Sequence, residues 1–271
     1  MHIIIKDDFD LYKIIHSGQC FRAVELEKGT YRFITGSHVL YICHLTGIHY
    51  DISCSRYQWN RLWKPYFDIS ACYEKIRNSI AAEDVFLSQA AAYSSGIRIL
   101  RQDPWETMIT FIISQRKSIP AIHTSVEKLC RKAGKRLETP GGILYTFPSA
   151  EDLCTLTAED LKNCSLGYRS PYIAKTAEII KKSPHLLQNM AKYTDDKLME
   201  ELMKFPGVGI KVASCVALFG YHRTALAPVD VWIQRVIDRF YQGKNPFPAY
   251  GKYAGIMQQY LFYYAQSTGM K

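Results

Sequence analysis

KFPGVGIKVASCVALFGYHRTALAPVD, residues Lys204 to Asp230, is the stretch whose reading decides this chain. It opens on the turn Pro206-Gly207-Val208-Gly209, where glycine permits positive φ and lets another backbone approach closely. KLMEELMK before the turn and IKVASCVALFG after it space their apolar residues as two helices. The second helix then begins with unpaired N–H groups, a ready site for a phosphate. Lys211 falls in its first turn, where the helix dipole disfavours a cation. Either Lys211 reaches into solvent, or the misfit serves chemistry. A partly desolvated lysine at a helix N-terminus has its ammonium disfavoured. The neutral amine is the form that attacks a sugar carbon and makes a Schiff base. Asp230 precedes the helical pattern VWIQRVIDRFY and is a natural N-cap. Facing a reactive lysine, the same carboxylate could also stabilise an oxocarbenium-like sugar or relay protons. Neither residue decides alone; the pair, spaced as it is after PGVG, is the signal.

Outward from this stretch the chain is helical back to about Gln102. Asp103-Pro104-Trp105-Glu106 supplies an N-cap, a proline at the first helical position and a glutamate three residues after the cap. The helix it opens, WETMITFIISQ, is apolar nearly all round and is expected to be central. SIPAIHTSVEKLCRKAG predicts a second helix ending at Gly134, and KRLETPGGILYTFP a loop. Ser149, Thr157 and Ser170-Pro171 each start a helix, and a C-terminal helix is expected from about Tyr250 to Gln266. Residues 1 to about 57 carry short β-branched and aromatic runs broken by glycine and predict strands. WNRLWKPYFDISACYEKIRNSI and AAEDVFLSQAAAYSSG return to helical spacing. The fold class expected is therefore α+β, an N-terminal antiparallel sheet module joined to a mainly α-helical body.

Composition narrows the classes. The 271 residues are 48% hydrophobic and 22% charged, an ordinary globular balance, with a formal net charge of +9. The positive excess favours polyanionic partners, weakly by itself. Basic residues are dispersed, which leaves no polybasic membrane signature, and no apolar run reaches the roughly 18 residues of a membrane span. MHIIIKDDFDLYK lacks the pattern of a secretory signal. The eight cysteines form no CxxC, so neither a zinc ribbon nor an iron–sulfur loop is expected, and reduced thiols inside a cell are.

LMKFPGVGIKVASC followed by PVD resembles the helix–hairpin–helix DNA glycosylases. SGQCFR at 17–22, RQDPWETMITFIIS at 101–114, LGYRSPYI at 166–173 and AGIMQQYLF at 254–262 extend the resemblance to the 8-oxoguanine DNA glycosylases, bacterial-type branch. The blocks run in that family's order over nearly the whole chain. The resemblance implies a TATA-binding-protein-like N-terminal domain over 1–100 and a two-part helical glycosylase domain over 101–271, its last helix returning toward the N-terminal part. It implies Lys211 and Asp230 as the catalytic pair. Gly18 would offer a backbone carbonyl to the N7–H of 8-oxoguanine, which guanine lacks. Gln258 would bond the Watson–Crick edge, and Cys215 and Phe262 would hold the purine between them. Gly207, Gly209, Arg116, Tyr168 and Arg169 would contact DNA, the last two as wedge and reader of the orphaned cytosine.

The implied function is base excision repair: an everted 8-oxoguanine is displaced at C1′ by Lys211, and β-elimination then cuts the strand. No metal or organic cofactor is needed. The partner is damaged double-stranded DNA, with no membrane and no obligate protein partner, acting as a monomer inside the cell (cytoplasm or nucleoid if bacterial). Two alternatives are an alkylpurine glycosylase using activated water and a non-catalytic DNA-binding module. The chain departs from the eukaryotic members, having Ser114-Gln115-Arg116-Lys117-Ser118 in place of their Asn-rich run. Ala121 stands where they read cytosine with an arginine, and Trp232 where they have histidine. A modest preference for cytosine opposite the lesion follows.

Overall fold

The computed structural model describes residues 1–270, and its N-terminal β-branched runs pair into one antiparallel sheet. Strands β1 (His2–Ile4), β2 (Val24–Glu27), β3 (Thr30–Thr35), β4 (His38–Thr46) and β5 (His49–Ile52) lie in the order β1-β5-β4-β3-β2. A short helix, α1 (Leu11–His16), interrupts this stretch, where sequence patterning suggests only strands. Its spacing of Leu11, Ile14 and Ile15 buries one face, and Asp10 caps it by accepting the Lys13 N–H at 3.0 Å.

Helical structure then takes over in α2 (Arg56–Gln58), α3 (Lys64–Tyr66), α4 (Tyr73–Arg77) and α5 (Val85–Tyr93). After Gln102 come α6 (Pro104–Ser114) and α7 (Ile119–Ala133), then strands β6 (Arg136–Thr139) and β7 (Gly142–Tyr145). These two strands correct the loop expected over KRLETPGGILYTFP. They form an antiparallel ribbon from Arg136 opposite Tyr145 to Thr139 opposite Gly142. Pro140-Gly141 is its turn rather than the end of structure, and Leu144 is its buried anchor. Next are α8 (Ala150–Leu153), α9 (Ala158–Asn163), α10 (Ser170–Lys182), α11 (Leu186–Met190), α12 (Asp195–Leu202), α13 (Ile210–Phe219), α14 (Val231–Phe240) and α15 (Ala254–Ser267). Helix α15 starts later than the spacing suggests, because Gly251 at φ +50° breaks the preceding Phe247–Tyr253 turn. The α+β class is the one the sequence predicts.

Two compact units result. Among the described residues, one comprises 1–32, 40–101 and 222–270; the other comprises 33–39 and 102–221. In the first, α5 and α14 pack on α15, and the Ser94 hydroxyl donates to the Tyr260 carbonyl at 3.0 Å. Its interior also holds charge. Arg98 is fully buried and donates to the carbonyls of Asp8 and Asp68 and to the Asp7 carboxylate, with its guanidinium 4.5 Å from the Tyr73 ring centre. A buried guanidinium is tolerated only when its donors are used in this way. Asp68 in turn accepts from Tyr73 and Arg101, with His222 Nε2 at 3.3 Å. Burial works to raise the Asp68 pKa, but the His222 and Arg101 contacts prevail and hold it below the usual carboxylate value. In the second unit, α13 packs between α6 and α12. Residues Val212–Phe219 of α13 and Thr107–Ile113 of α6 are buried throughout, as their all-round apolar character requires.

Candidate active site

Within the second unit, α12 and α13 make the helical hairpin. Thr194 caps α12 and acidic residues fill its first turn, both favourable at a helix N-terminus. Phe205 and Val208 are buried and pin the turn between them. Gly207 has φ +75°, and a Cβ there would lie 2.4 Å from the Tyr172 ring, so only glycine fits. Gly209 is the N-cap of α13 in extended conformation, with no side chain to occupy the first N–H groups. Ile210, at the first helical position, is 71% exposed. The turn thus offers uncapped donors and an apolar tip to whatever docks there.

Lys211 follows, half-buried, with Nζ 5.3 Å from the centre of the Phe111 ring. Among the described residues it has no carboxylate partner. Cys215 is buried one turn further along α13, so the two share a helix face. Arg116 is exposed just beyond the end of α6 at φ +51°, a conformation asparagine tolerates better than arginine. Tyr168 is 52% exposed and stacks under the Arg169 guanidinium at 4.3 Å. Arg169 itself is buried and donates to the carbonyls of Leu166 and Gln115. To meet a base it must leave those carbonyls.

The first unit holds the remaining residues. Asp230 caps α14, its Oδ1 accepting the Ile233 N–H at 2.9 Å. Gly18 lies in a turn at φ +71°. Gln258 and Phe262 sit one turn apart on α15, Gln258 buried and Phe262 half-buried. The Gln258 Oε1 is buried without a hydrogen-bond partner among the described residues. Most buried polar side-chain atoms in folded proteins have a partner, so this oxygen keeps its capacity to accept from a ligand donor.

Residues 2–108 match the family described as 8-oxoguanine DNA glycosylase, N-terminal domain, and residues 109–254 match the HhH-GPD superfamily base excision DNA repair protein. The chain belongs to the HhH-GPD superfamily. A probable N-glycosylase/DNA lyase from Methanothermobacter thermautotrophicus is 32% identical over 217 residues, 69% of this chain and 69% of that one. The apo-form of Clostridium acetobutylicum 8-oxoguanine glycosylase/lyase superposes with TM-score 0.89 at 34% identity, over 95% of this chain and 93% of that one. The same enzyme with double-stranded DNA containing cytosine opposite 8-oxoG gives 0.90 at 32% identity, over 99% and 98% of the two chains.

In this HhH-GPD chain, three glutamines carry positioning work that sequence reading leaves unassigned. Gln259 Nε2 donates to the Ser17 carbonyl at 2.5 Å, tying the Gly18 turn to the helix that bears Gln258. Gln19 bridges the Arg98 carbonyl and the Leu100 N–H from the other side of that turn. Gln115 Nε2 donates to the Gly207 carbonyl at 3.0 Å, while its own carbonyl accepts from Arg169. The signal available was a Gln-Gln pair inside the apolar run AGIMQQYLF and a glutamine at the end of an otherwise apolar helix. Polar residues in such places are buried only with partners.

Proposed function

We propose that the protein excises 8-oxoguanine from double-stranded DNA and then cleaves the strand at the resulting site, with Lys211 as the nucleophile. The observation that carries this reading is Lys211 itself: half-buried against Phe111, without a carboxylate partner among the described residues, behind a glycine turn fit to receive a phosphate. The probable N-glycosylase/DNA lyase and the 8-oxoguanine glycosylase/lyase to which the chain is similar support it, each matching more than two thirds of the chain.

In the reaction, the free Lys211 amine forms a bond to C1′ as the glycosidic C–N bond breaks, and the base leaves with a proton. Ring opening converts the adduct to a protonated Schiff base. That iminium acidifies the 2′ hydrogen, and loss of the proton expels the 3′ phosphate oxygen, cutting the strand on the 3′ side. Asp230 would stabilise the positive charge that develops on the sugar. The orphaned Oε1 of Gln258 would accept from the Watson–Crick edge of the everted purine, with Cys215 and Phe262 against its faces. The Gly18 carbonyl would accept the lesion's N7–H; guanine offers an acceptor there and leaves two acceptors opposed. Gly207 and Gly209 would receive a backbone phosphate, and Tyr168, Arg116 and Arg169 would meet the opposite strand. One copy of the chain suffices for this set of groups.

Borohydride reduction on an 8-oxoguanine duplex tests the core of the proposal. The wild type is expected to give a covalent adduct, and Lys211→Gln to give none while still binding the duplex. Base release without a trappable adduct would mean water as nucleophile; binding without release would mean a DNA-binding module. Opposite-base selectivity is a separate expectation. With Ala121 in place of a guanidinium, one bidentate contact of about 1–3 kcal/mol is missing. Single-turnover excision on four duplexes should therefore favour cytosine by no more than about tenfold.

A further inference from the structure

We propose that Trp232, Arg235 and Arg239 form a phosphate-contacting stripe along α14, which holds a DNA strand beside Asp230. The inference deepens the proposed function and rests on its DNA partner, though not on which base is excised. Positions 232, 235 and 239 are three and four residues apart and so share one ridge of the helix. The opposite side of α14 is fixed by burial of Ile233, Val236 and Ile237, which turns this ridge outward. Arg235 and Arg239 are exposed, and Trp232 is half-buried at their N-terminal end.

Charge pairing separates these two arginines from five others in the chain. Arg77, Arg98, Arg101, Arg131 and Arg136 each have a carboxylate partner. Arg235 and Arg239 have none among the described residues, and Asp238 between them is engaged by the Gln234 amide at 2.9 Å. Aromatic faces hold them instead. The Arg235 guanidinium lies 5.6 Å from the Trp232 ring centre, and that of Arg239 lies 5.5 Å from the Phe240 ring centre. Stacking restricts a long side chain without neutralising its charge, which leaves a preorganised cation for an anion from outside.

Spacing fits a nucleic-acid strand. Four residues advance the helix by about 6 Å. Phosphates recur about every 3.4 Å of axis along one strand, so two guanidiniums about one helical turn apart can reach phosphates of the same strand. The stripe begins two residues after Asp230, which the proposed chemistry sets at the lesion. The Trp232 indole carries no charge of its own and serves to hold one.

The test is the salt dependence of binding by the full chain to a duplex containing a reduced abasic-site analogue. Each phosphate contact removed should make the plot of log affinity against log salt shallower by about 0.9. Arg235→Ala is expected to lose about 0.9 and Arg235→Ala/Arg239→Ala about 1.8, equally with cytosine or adenine opposite the analogue. Arg235→Lys should restore the slope, and Trp232→Ala should weaken binding at an unchanged slope. Arg131→Ala, which removes a cation already paired with Glu127, is the control and should leave the slope unaltered. A wild-type slope in the double variant overturns the stripe, as does an equal change in the control. A wild type that fails to bind the duplex at all would instead remove the DNA reading, and the stripe with it.

Discussion

Gly207 and Gly209 stand two residues apart in one turn, yet the chain needs glycine at them for different reasons. Gly207 is required by the fold: positive φ and the Tyr172 ring leave no room for a methyl group. Gly209 has φ −93° and open space around the place a Cβ would take, so the fold does not require glycine there, and the proposed phosphate contact would be what uses it. Gly207→Ala should therefore destabilise the protein by about 1–3 kcal/mol, seen as a lower denaturant midpoint. Gly209→Ala should change stability by less than about 1 kcal/mol while weakening duplex binding. Equal midpoint losses in the two variants would contradict this division. Lys211 and Asp230 were legible as candidates because their motif is local; Gln258 and Phe262 entered only through the resemblance of AGIMQQYLF to the 8-oxoguanine DNA glycosylases. The buried, partnerless Oε1 of Gln258 was not, since sequence gives no account of which hydrogen bonds a folded side chain is denied.

Helices were legible where cap and period agree. Asp103-Pro104, Ser149 and Thr157 each close the cap their sequence predicts, the last two as full capping boxes. Elements escaped where the signal is short. Helix α1 has six residues, and β6 and β7 have four each, too few for a periodicity to stand out from chance. The glycine and proline of KRLETPGGILYTFP were read as loop punctuation when they are the turn of a ribbon. Beyond the last residue of α6, the run Gln115-Arg116-Lys117 becomes a junction of elements. Gln115 reaches the hairpin turn, Arg169 reaches Gln115, and Lys117 donates to Ser125 and the Ser165 carbonyl. Burial and the neighbouring charges of Arg169 and Lys128 lower the Lys117 pKa, as expected for cations gathered on one face.

At the scale of the molecule, the chain leaves the first unit after Arg101 and re-enters it at His222, and both residues bind Asp68. A buried carboxylate therefore anchors both ends of this excursion on the first unit. Its pKa lies below the ordinary value of about 3.9. Its stabilising contribution is then complete above that value and is lost as pH falls through the lowered folded value. Asp68→Asn should cost about 1–2 kcal/mol at neutral pH, because the half-exposed Arg101 would lose its counter-charge and His222 its carboxylate partner. Urea unfolding across a pH series should show the two stability curves converging in acid. A constant offset down to the lowest pH would mean that Asp68 acts by shape rather than by charge.

What the sequence determined by itself was local and periodic: an α+β division, the helices with good caps, the glycine hairpin, a lysine in the first turn of its second helix and an aspartate capping the helix that follows. Those features depend on residues within a turn or two of each other, so they survive being read in one dimension. Tertiary structure alone decided that Arg169 is buried on two carbonyls, that Gln115 and Gln259 hold turns far away in sequence, and that one aspartate binds both Arg101 and His222. Each is a pairing of polar groups removed from water. Such a group takes whichever partner the packed fold brings within reach, and nothing in the order of residues names that partner beforehand.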